Sequence, residues 1–259
     1  MRIEALPFVN WIFWASLASG TLLATGATEL LGGTTRGYRL FMAWFAAALA
    51  VILLLSELNL PPGTVADATA GIRRWLVIGS VASAAAYLLG SVLRVPRSGL
   101  ALLGGATGLG ALLFLAVAGG TRSAPLFALQ LTLATVVLGS VTAAMLLGHW
   151  YLVTPRLSPL PLRRLIGVAI VGLSAQALAF GIAQLTAGPA PLGSGIGWLV
   201  WLRLVAGTLL PIATVVLAML ATRAASLQAS TGLLYIGLAL VTAGCIAGAS
   251  LSYLTGVPV

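Results

Sequence analysis

Side chains that could do chemistry are scarce in this chain, and most of them stand at the ends of apolar runs. The chain has one histidine, and Gly148-His149-Trp150-Tyr151 closes a long apolar run, so an imidazole stands beside two aromatic rings. Such an imidazole can donate a hydrogen bond to a quinone carbonyl, bind a metal or relay protons. We therefore treat His149, Trp150 and Tyr151 as candidate contacts of a quinone or a lipid. The alternative is a histidine that only anchors the chain at the membrane surface.

Arg203 is a second candidate, because it falls inside an apolar run, and an ionisable residue within a membrane is a functional candidate. It lies about 9 Å from the start of its helix, at about 1.5 Å per residue. Three interpretations stay open: a side chain that reaches back to the interface, an ion pair with Glu57, or a contact with the anion of a lipid or cofactor. Pro211 predicts a kink beside it, since proline offers no N–H to the carbonyl of Gly207.

The same scarcity limits the chemistry that this chain can perform alone. A haem held by two histidines would need a second histidine, and the single cysteine, Cys245, excludes an internal disulfide and a CxxC zinc site. Carboxylates are missing from the middle of the apolar runs, and no nucleophile stands beside a base. We therefore expect no haem or metal held by this chain alone, and no catalysis by it alone.

Composition places these candidates in a membrane. Hydrophobic residues make up 60% of the chain and charged residues 7%, whereas a soluble domain carries about 25% charged residues. A helix needs about 20 apolar residues to cross the hydrocarbon core, and only helices or closed barrels satisfy the backbone there. Eight runs qualify, at about 7–25, 38–56, 75–93, 100–119, 126–153, 165–185, 198–222 and 232–254. We predict one all-α domain over residues 1–259, a polytopic bundle of about eight transmembrane helices.

The first run imitates a cleavable signal, but we interpret it as a retained span.

Charge distribution predicts the orientation. All 13 basic residues are arginine, against four acids, and the net charge is +9. These arginines lie between apolar runs, where the positive-inside rule and lipid headgroups place them, so we expect no nucleic-acid partner. Eight would stand on one side and four on the other, which predicts that both termini lie on the non-cytoplasmic side of the cell (inner) membrane. The Arg73-Arg74 pair on the sparser side opposes this orientation.

Aromatic residues stand near the ends of the runs and favour two interfacial belts. The outer belt would contain Phe8, Trp11, Phe13, Trp14, Trp75, Trp198 and Trp201, and the inner belt Tyr38, Trp44, Trp150, Tyr151 and Tyr235. Interfacial anchoring explains most of these residues without a ligand.

Small and amide side chains indicate how the helices meet. Gly104/Gly108 and Gly244/Gly248 have the small-xxx-small spacing that lets two helices approach closely. Gln176 stands near the middle of its run, where we expect a hydrogen bond to another helix. Asn10, Gln130, Gln184 and Arg203 all fall near outer ends, so one polar pocket there is possible.

Two connections carry further expectations. Thr64 followed by Asp67 resembles a helix N-terminus and predicts a short surface helix in the loop from Glu57 to Arg74. The basic loop from Thr154 to Arg164 contains three prolines and three arginines. Its Arg156, Arg163 and Arg164 could bind anionic lipid headgroups or an acidic partner.

These observations favour a non-catalytic integral subunit of a larger respiratory or electron-transfer complex. Its pocket for a quinone or lipid would lie at the cytoplasmic interface, around His149. In span number alone, this plan is similar to the quinone-linked membrane anchors of molybdenum reductases. The alternative is a small permease or lipid-handling transporter, with the Pro211 kink and the glycine-rich spans as moving parts. The lipid bilayer and other subunits of the complex would be its partners.

Overall fold

The computed structural model describes residues 6–61, 69–95, 97–118, 124–154, 157–186 and 195–255, and this part of the chain forms eight long helices. They are α1 (Leu6–Leu31), α2 (Arg36–Leu58), α3 (Ala70–Val92), α4 (Ser98–Ala118), α5 (Ala124–Val153), α6 (Leu160–Thr186), α7 (Gly197–Arg223) and α8 (Leu227–Thr255). All eight are long and apolar enough to cross a membrane. The predicted fold class, an all-α multi-pass bundle, is confirmed.

Several helices extend beyond the apolar runs that predicted them. α1 continues to Leu31, and α6 begins at Leu160 rather than at residue 165. Proline is compatible with a first helical turn, which suits Pro161, and the Ser158 hydroxyl accepts a hydrogen bond from the Leu160 N–H at 3.3 Å. The end of the basic loop is therefore helical, and Arg163 and Arg164 stand on the first turn of α6. The predicted surface helix at Thr64 lies outside the described residues.

α7 changes its helical geometry partway along. An α-helical turn, Gly197–Trp201, is followed by a π-helical segment, Leu202–Leu209, and then by α-helix again. In the π segment the Leu210 N–H donates to the carbonyl of Val205, five residues back. Pro211 follows directly, and it cannot supply the N–H that an α-helix would offer to Gly207. The disturbance predicted at Pro211 therefore takes the form of a π-helical segment.

α1 and α5 form the centre of the bundle. In the most apolar window of each helix, 78% of α5 and 61% of α1 is buried, against 33% of α3 and 28% of α7. The two central helices cross at Gly20 and Gly139, where a Cβ on Gly20 would overlap the Thr135 carbonyl and one on Gly139 would overlap the Gly20 backbone. Glycine is needed here because the two backbones are in contact.

The predicted glycine contacts are confirmed. A Cβ on Gly104 would lie 3.2 Å from the Ser80 carbonyl of α3, and one on Gly108 would overlap the Ser19 hydroxyl of α1. In the second half, Gly244 of α8 contacts the backbone of Gly207 in the π segment of α7. These glycines therefore fix α4 against α1 and α3, and α8 against α7.

Short connections divide the described arginines between the two ends of the bundle. The arginine-rich face is the end at which α1, α3, α5 and α7 finish. It holds Arg36, Arg39, Arg94, Arg97, Arg163, Arg164 and Arg223. The opposite face holds Arg73 and Arg74, and Arg2, Arg122 and Arg156 lie outside the described residues. Which face is cytoplasmic stays a prediction.

Several aromatic residues assigned to the belts lie inside the bundle instead. Phe8, Trp11, Tyr38 and Tyr151 are 7%, 0%, 2% and 4% exposed, so the belt interpretation is wrong for them. Polar partners explain this burial for the tyrosines: the Tyr38 hydroxyl, for instance, donates to the Ala143 carbonyl at 3.0 Å. The aromatic residues that agree with a belt are exposed: Trp44, Trp75, Trp198, Trp201 and Tyr235.

Candidate functional site

His149 is exposed on the last turns of α5, at the arginine-rich face. Its Nδ1 lies 3.4 Å from the hydroxyl of Tyr235 on α8, and the two rings are nearly perpendicular, at 84°. A contact of this length is a weak hydrogen bond. The imidazole is therefore open to the headgroup region and is only loosely held by one phenol.

Trp150 lies on another side of α5, packed against α2. Its ring centroid is 6.3 Å from the centroids of both Tyr38 and Phe41. Gly37 makes room for it, since a Cβ there would lie 2.7 Å from the indole ring. The buried Trp150 Nε1 has no hydrogen-bond partner among the described residues.

Tyr151 is buried and bonds to the connection that follows its helix. Its hydroxyl donates to the Ser158 carbonyl at 2.8 Å, which fixes the connection from α5 to α6. Trp150 and Tyr151 therefore pack in the same hydrophobic cluster, which contains Tyr38, whereas His149 is exposed.

The other predicted lipid contacts on this face take part in packing. Arg163 Nη2 lies 3.4 Å from the Thr222 carbonyl at the end of α7, and Arg164 Nη1 lies 3.3 Å from the Leu31 carbonyl at the end of α1. Cations at carbonyl-bearing helix ends are stabilising. Arg156 is outside the described residues, and binding of anionic lipid at these three arginines stays a prediction.

Arg203 has a different setting, because it is buried inside the bundle near the opposite face. Its side chain is 4% exposed and belongs to the π segment of α7. Two small cavities border it, of about 10 and 20 Å³. The first is lined by Leu126, Gln130, Leu133, Gln176, Ala179, Phe180 and Arg203. The second is lined by Ile12, Phe127, Gln130, Leu131, Ala134, Arg203, Cys245, Gly248, Ala249 and Ser252.

Close helix packing positions the guanidinium. The Gly207–Gly244 contact brings the π segment onto α8, and one turn later Gly248 leaves room for the arginine side chain. A Cβ on Gly248 would lie 3.1 Å from Arg203 Nε and 3.4 Å from Gln130 Nε2. The Ser252 hydroxyl lies 3.5 Å from Gln130 Oε1. The spacing Gly244, Gly248 and Ser252 thus presents one face of α8 to this site.

Glu57, which the sequence offered as a partner for Arg203, pairs with Arg73 instead. Arg73 Nε lies 3.0 Å from Glu57 Oε2, and Arg73 Nη2 lies 3.0 Å from Glu57 Oε1. The two side chains are 3% and 0% exposed, and the guanidinium stands 5.5 Å from the centre of the Trp11 ring. Since Arg203 is buried too, it does not reach back to the interface. Contact of Arg203 with the anion of a lipid or cofactor stays a prediction.

The predicted outer polar pocket forms in part. Gln130 and Arg203 meet, as that prediction required, and they are joined by Gln176, which is 5% exposed. Asn10 is exposed and accepts a hydrogen bond from Trp14 Nε1 at 2.9 Å, and Gln184 is half-buried outside both cavity linings. That Gln176 would share the site was not predictable, because the rotation of α6 relative to α5 and α7 depends on packing.

This arrangement suits an oxygen-bearing polar group. A guanidinium offers five N–H donors and a glutamine amide two. Leu126, Leu133 and Phe180 supply apolar walls on the side between α5 and α6. A water molecule needs about 10–15 Å³ of cavity, so each void has room for about one water in this state. Within the described ranges, no group of three histidine, cysteine or carboxylate side chains is placed to hold a metal ion.

No family model, curated protein or solved structure matches this chain.

Proposed function

We propose that this chain is a non-catalytic integral subunit of a larger electron-transfer complex, and that it holds the head of a quinone at Arg203. One observation carries the proposal: a guanidinium 4% exposed inside a membrane-spanning bundle, bordered by two glutamines and two cavities. Burial of a charge within a membrane is costly, and such residues mark ligand or ion sites.

Quinone chemistry fits the groups at this site. A quinone carbonyl is a neutral acceptor, and Arg203 and Gln130 place N–H donors next to each other. Leu126 and Phe180 are half-buried apolar walls on the side where α5 and α6 meet, which suits the ring and its isoprenoid tail. The ring is larger than either void, so binding requires these walls to move outward. The polar head of a lipid is the other ligand with suitable oxygen acceptors.

Electrons would have to reach the quinone from another protein. The chain has one histidine and one cysteine, too few to hold a two-histidine haem or an iron–sulfur cluster of four cysteines. A partner subunit would therefore supply the redox centre. The exposed His149–Tyr235 pair lies at the arginine-rich face, far from Arg203, and is a candidate contact of such a partner or of a second quinone or lipid.

Purification from native membranes tests this proposal. We expect the wild-type chain to retain quinone and at least one other subunit in mild detergent, as measured by solvent extraction and mass spectrometry. Arg203→Gln should lose most of the quinone, because it removes the charged donor but keeps a polar side chain. Arg74→Gln removes an exposed arginine from the same end and should retain it. Wild-type protein with neither quinone nor partner would refute the proposal.

A small permease or lipid-handling transporter is the second candidate. It is favoured by α7, whose π-helical segment, Pro211 and backbone contact with Gly244 form an interrupted helix beside a buried charge. Interrupted helices are where transporters place their substrates. Flux of a labelled substrate into proteoliposomes, abolished by Arg203→Gln, would favour this function over the first.

A further inference from the structure

A basic cleft opens at the arginine-rich face, far from Arg203. It has a volume of about 120 Å³ and lies where α1 ends, α2 begins and α3 ends. Its lining consists of Glu29, Arg36, Arg39, Leu40, Gly90, Ser91, Arg94 and Val95. A water molecule needs about 10–15 Å³, so the cleft has room for several waters or for a phosphate group.

Positive charge exceeds negative charge in this cleft. Three arginines line it, and the one carboxylate among its described lining residues is Glu29. Arg39 Nη1 lies 3.4 Å from Glu29 Oε1, and the Glu29 side chain is only 9% exposed. Glu29 thus holds Arg39 in position and offsets one charge. Arg36 and Arg94, both exposed, leave the cleft with a positive excess that an anion can balance.

The backbone at the end of α3 helps to build the cleft. Arg94 has φ +64°, the left-handed conformation in which glycine is the usual residue, and the Val95 N–H closes the turn on the Gly90 carbonyl at 2.9 Å. Gly90 also lets a further arginine approach, since a Cβ there would lie 3.2 Å from Arg97 Cδ. A fourth cationic side chain therefore packs at the rim.

We propose that this cleft binds a phosphate group, with the headgroup of an anionic phospholipid as the expected source. Arginine is suited to phosphate, because its fork of N–H donors matches the phosphate oxygens. The cleft lies at the end of the bundle, where lipid headgroups stand. Leu89 and Leu93 are 58% and 63% exposed on the same end of α3, so acyl chains can run along apolar surface beside it. A free phosphate or phosphate monoester has the same chemistry but needs no apolar surface.

Native mass spectrometry of the full chain in detergent tests this proposal, with phosphatidylglycerol and phosphatidylcholine of equal acyl composition as probes. We expect Arg36→Gln to weaken phosphatidylglycerol binding about fivefold, since a basic residue near anionic lipid contributes about that factor. Arg223→Gln is the matched control, an exposed arginine on the same face outside the cleft. It should bind phosphatidylglycerol as wild type does, and phosphatidylcholine binding should be equal in all variants.

Arg94→Gly separates binding from folding. Glycine accepts φ +64° without strain, so this variant should unfold at the same or a higher temperature and still bind phosphatidylglycerol about fivefold more weakly. Displacement of the lipid by excess inorganic phosphate would identify free phosphate as the source, and resistance would identify the lipid. Wild-type binding by both Arg36→Gln and Arg94→Gly, or an equal loss in Arg223→Gln, would overturn the proposal. Quinone content is a separate readout that these variants should not change.

Discussion

Two arginines are buried near the opposite face of the bundle, and their surroundings differ. Arg73 directs two nitrogens at the carboxylate of Glu57 and lies by the Trp11 ring. Arg203 lies among Gln130, Gln176 and Ser252, on a π-helical segment bordered by cavities. The first setting neutralises a charge with a charge and holds α2 to α3. The second places a charge beside two glutamines, a serine and two cavities. Burial alone therefore does not distinguish the two arginines, whereas the cavities beside Arg203 do.

The largest effect on stability is expected at the Arg73 pair. Arg73→Met leaves the Glu57 carboxylate buried without this partner, which should cost about 3–5 kcal/mol of unfolding free energy. Thermal unfolding in detergent, followed by circular dichroism, should show a strongly lowered midpoint. The double variant Arg73→Met with Glu57→Leu should recover much of the loss, because neither charge of this pair is then left buried. A single variant as stable as the wild type would show that this pair does not hold α2 to α3.

A smaller loss is expected where the π segment contacts α8. Gly207→Ala adds a methyl group against the Gly244 backbone, and overpacking of this kind costs about 1–3 kcal/mol. It should also reduce quinone content by displacing Arg203. Gly181→Ala is the matched control, since among the described residues no atom outside its own helix backbone and chain neighbours lies within 4 Å of the added Cβ, and it should be neutral or slightly stabilising. Equal effects of the two substitutions would show that the contact is not tight.

Replacement of Arg203 should separate stability from binding. Replacement of buried charged groups by well-packed apolar side chains of similar volume is often neutral or stabilising. We expect Arg203→Met to change the unfolding free energy by less than about 1 kcal/mol and to lose bound quinone. Parallel measurement of the thermal midpoint and extracted quinone checks this. A loss of stability as large as that of Arg73→Met would show that Arg203 stabilises the fold, as Arg73 does, rather than serving only to bind quinone.

The smallest effect is expected at the exposed histidine. His149→Ala removes one long contact with Tyr235, so the unfolding free energy should change by no more than about 0.5 kcal/mol. Quinone content at the Arg203 site should also be unchanged. Tyr235→Phe, which removes the hydroxyl alone, provides the comparison. Loss of quinone in His149→Ala would move the binding site to the arginine-rich face, as the sequence first indicated.

The bundle itself could be predicted from the sequence, because length and hydropathy decide how many helices can span a membrane. The contacts of Gly104, Gly108, Gly244 and Gly248 were also predictable, since small residues four apart mark close helix packing, whereas the crossing at Gly20 and Gly139 was not predicted. Helix ends were harder to predict, because polar residues such as Arg163 and Arg164 continue the helix beyond the end of the apolar run. The π segment was indicated only indirectly, through Pro211.

The candidate site could be predicted in part. Arg203 and Gln130 were visible as polar residues in apolar runs near the same end. Their contact with Gln176, and the pairing of Glu57 with Arg73 rather than Arg203, depend on the rotation of each helix about its axis, which hydropathy leaves open. His149 and Tyr151 illustrate the converse, because neighbours on a helix can face different surroundings: His149 is exposed, whereas Tyr151 is buried. Arg36 and Arg94 share a cleft although 58 positions separate them.

Titration of the purified chain, depleted of bound quinone, with decylubiquinone, a quinone with a shorter tail, tests the central claim most directly. Trp198 and Trp201 stand at the start of α7 close to Arg203 in sequence, and quinones quench indole fluorescence. We predict saturable quenching in the wild type and in the Arg74→Gln control, and only linear, non-saturable quenching in Arg203→Met. Saturable quenching of equal affinity in Arg203→Met would contradict the assignment of the quinone site to Arg203.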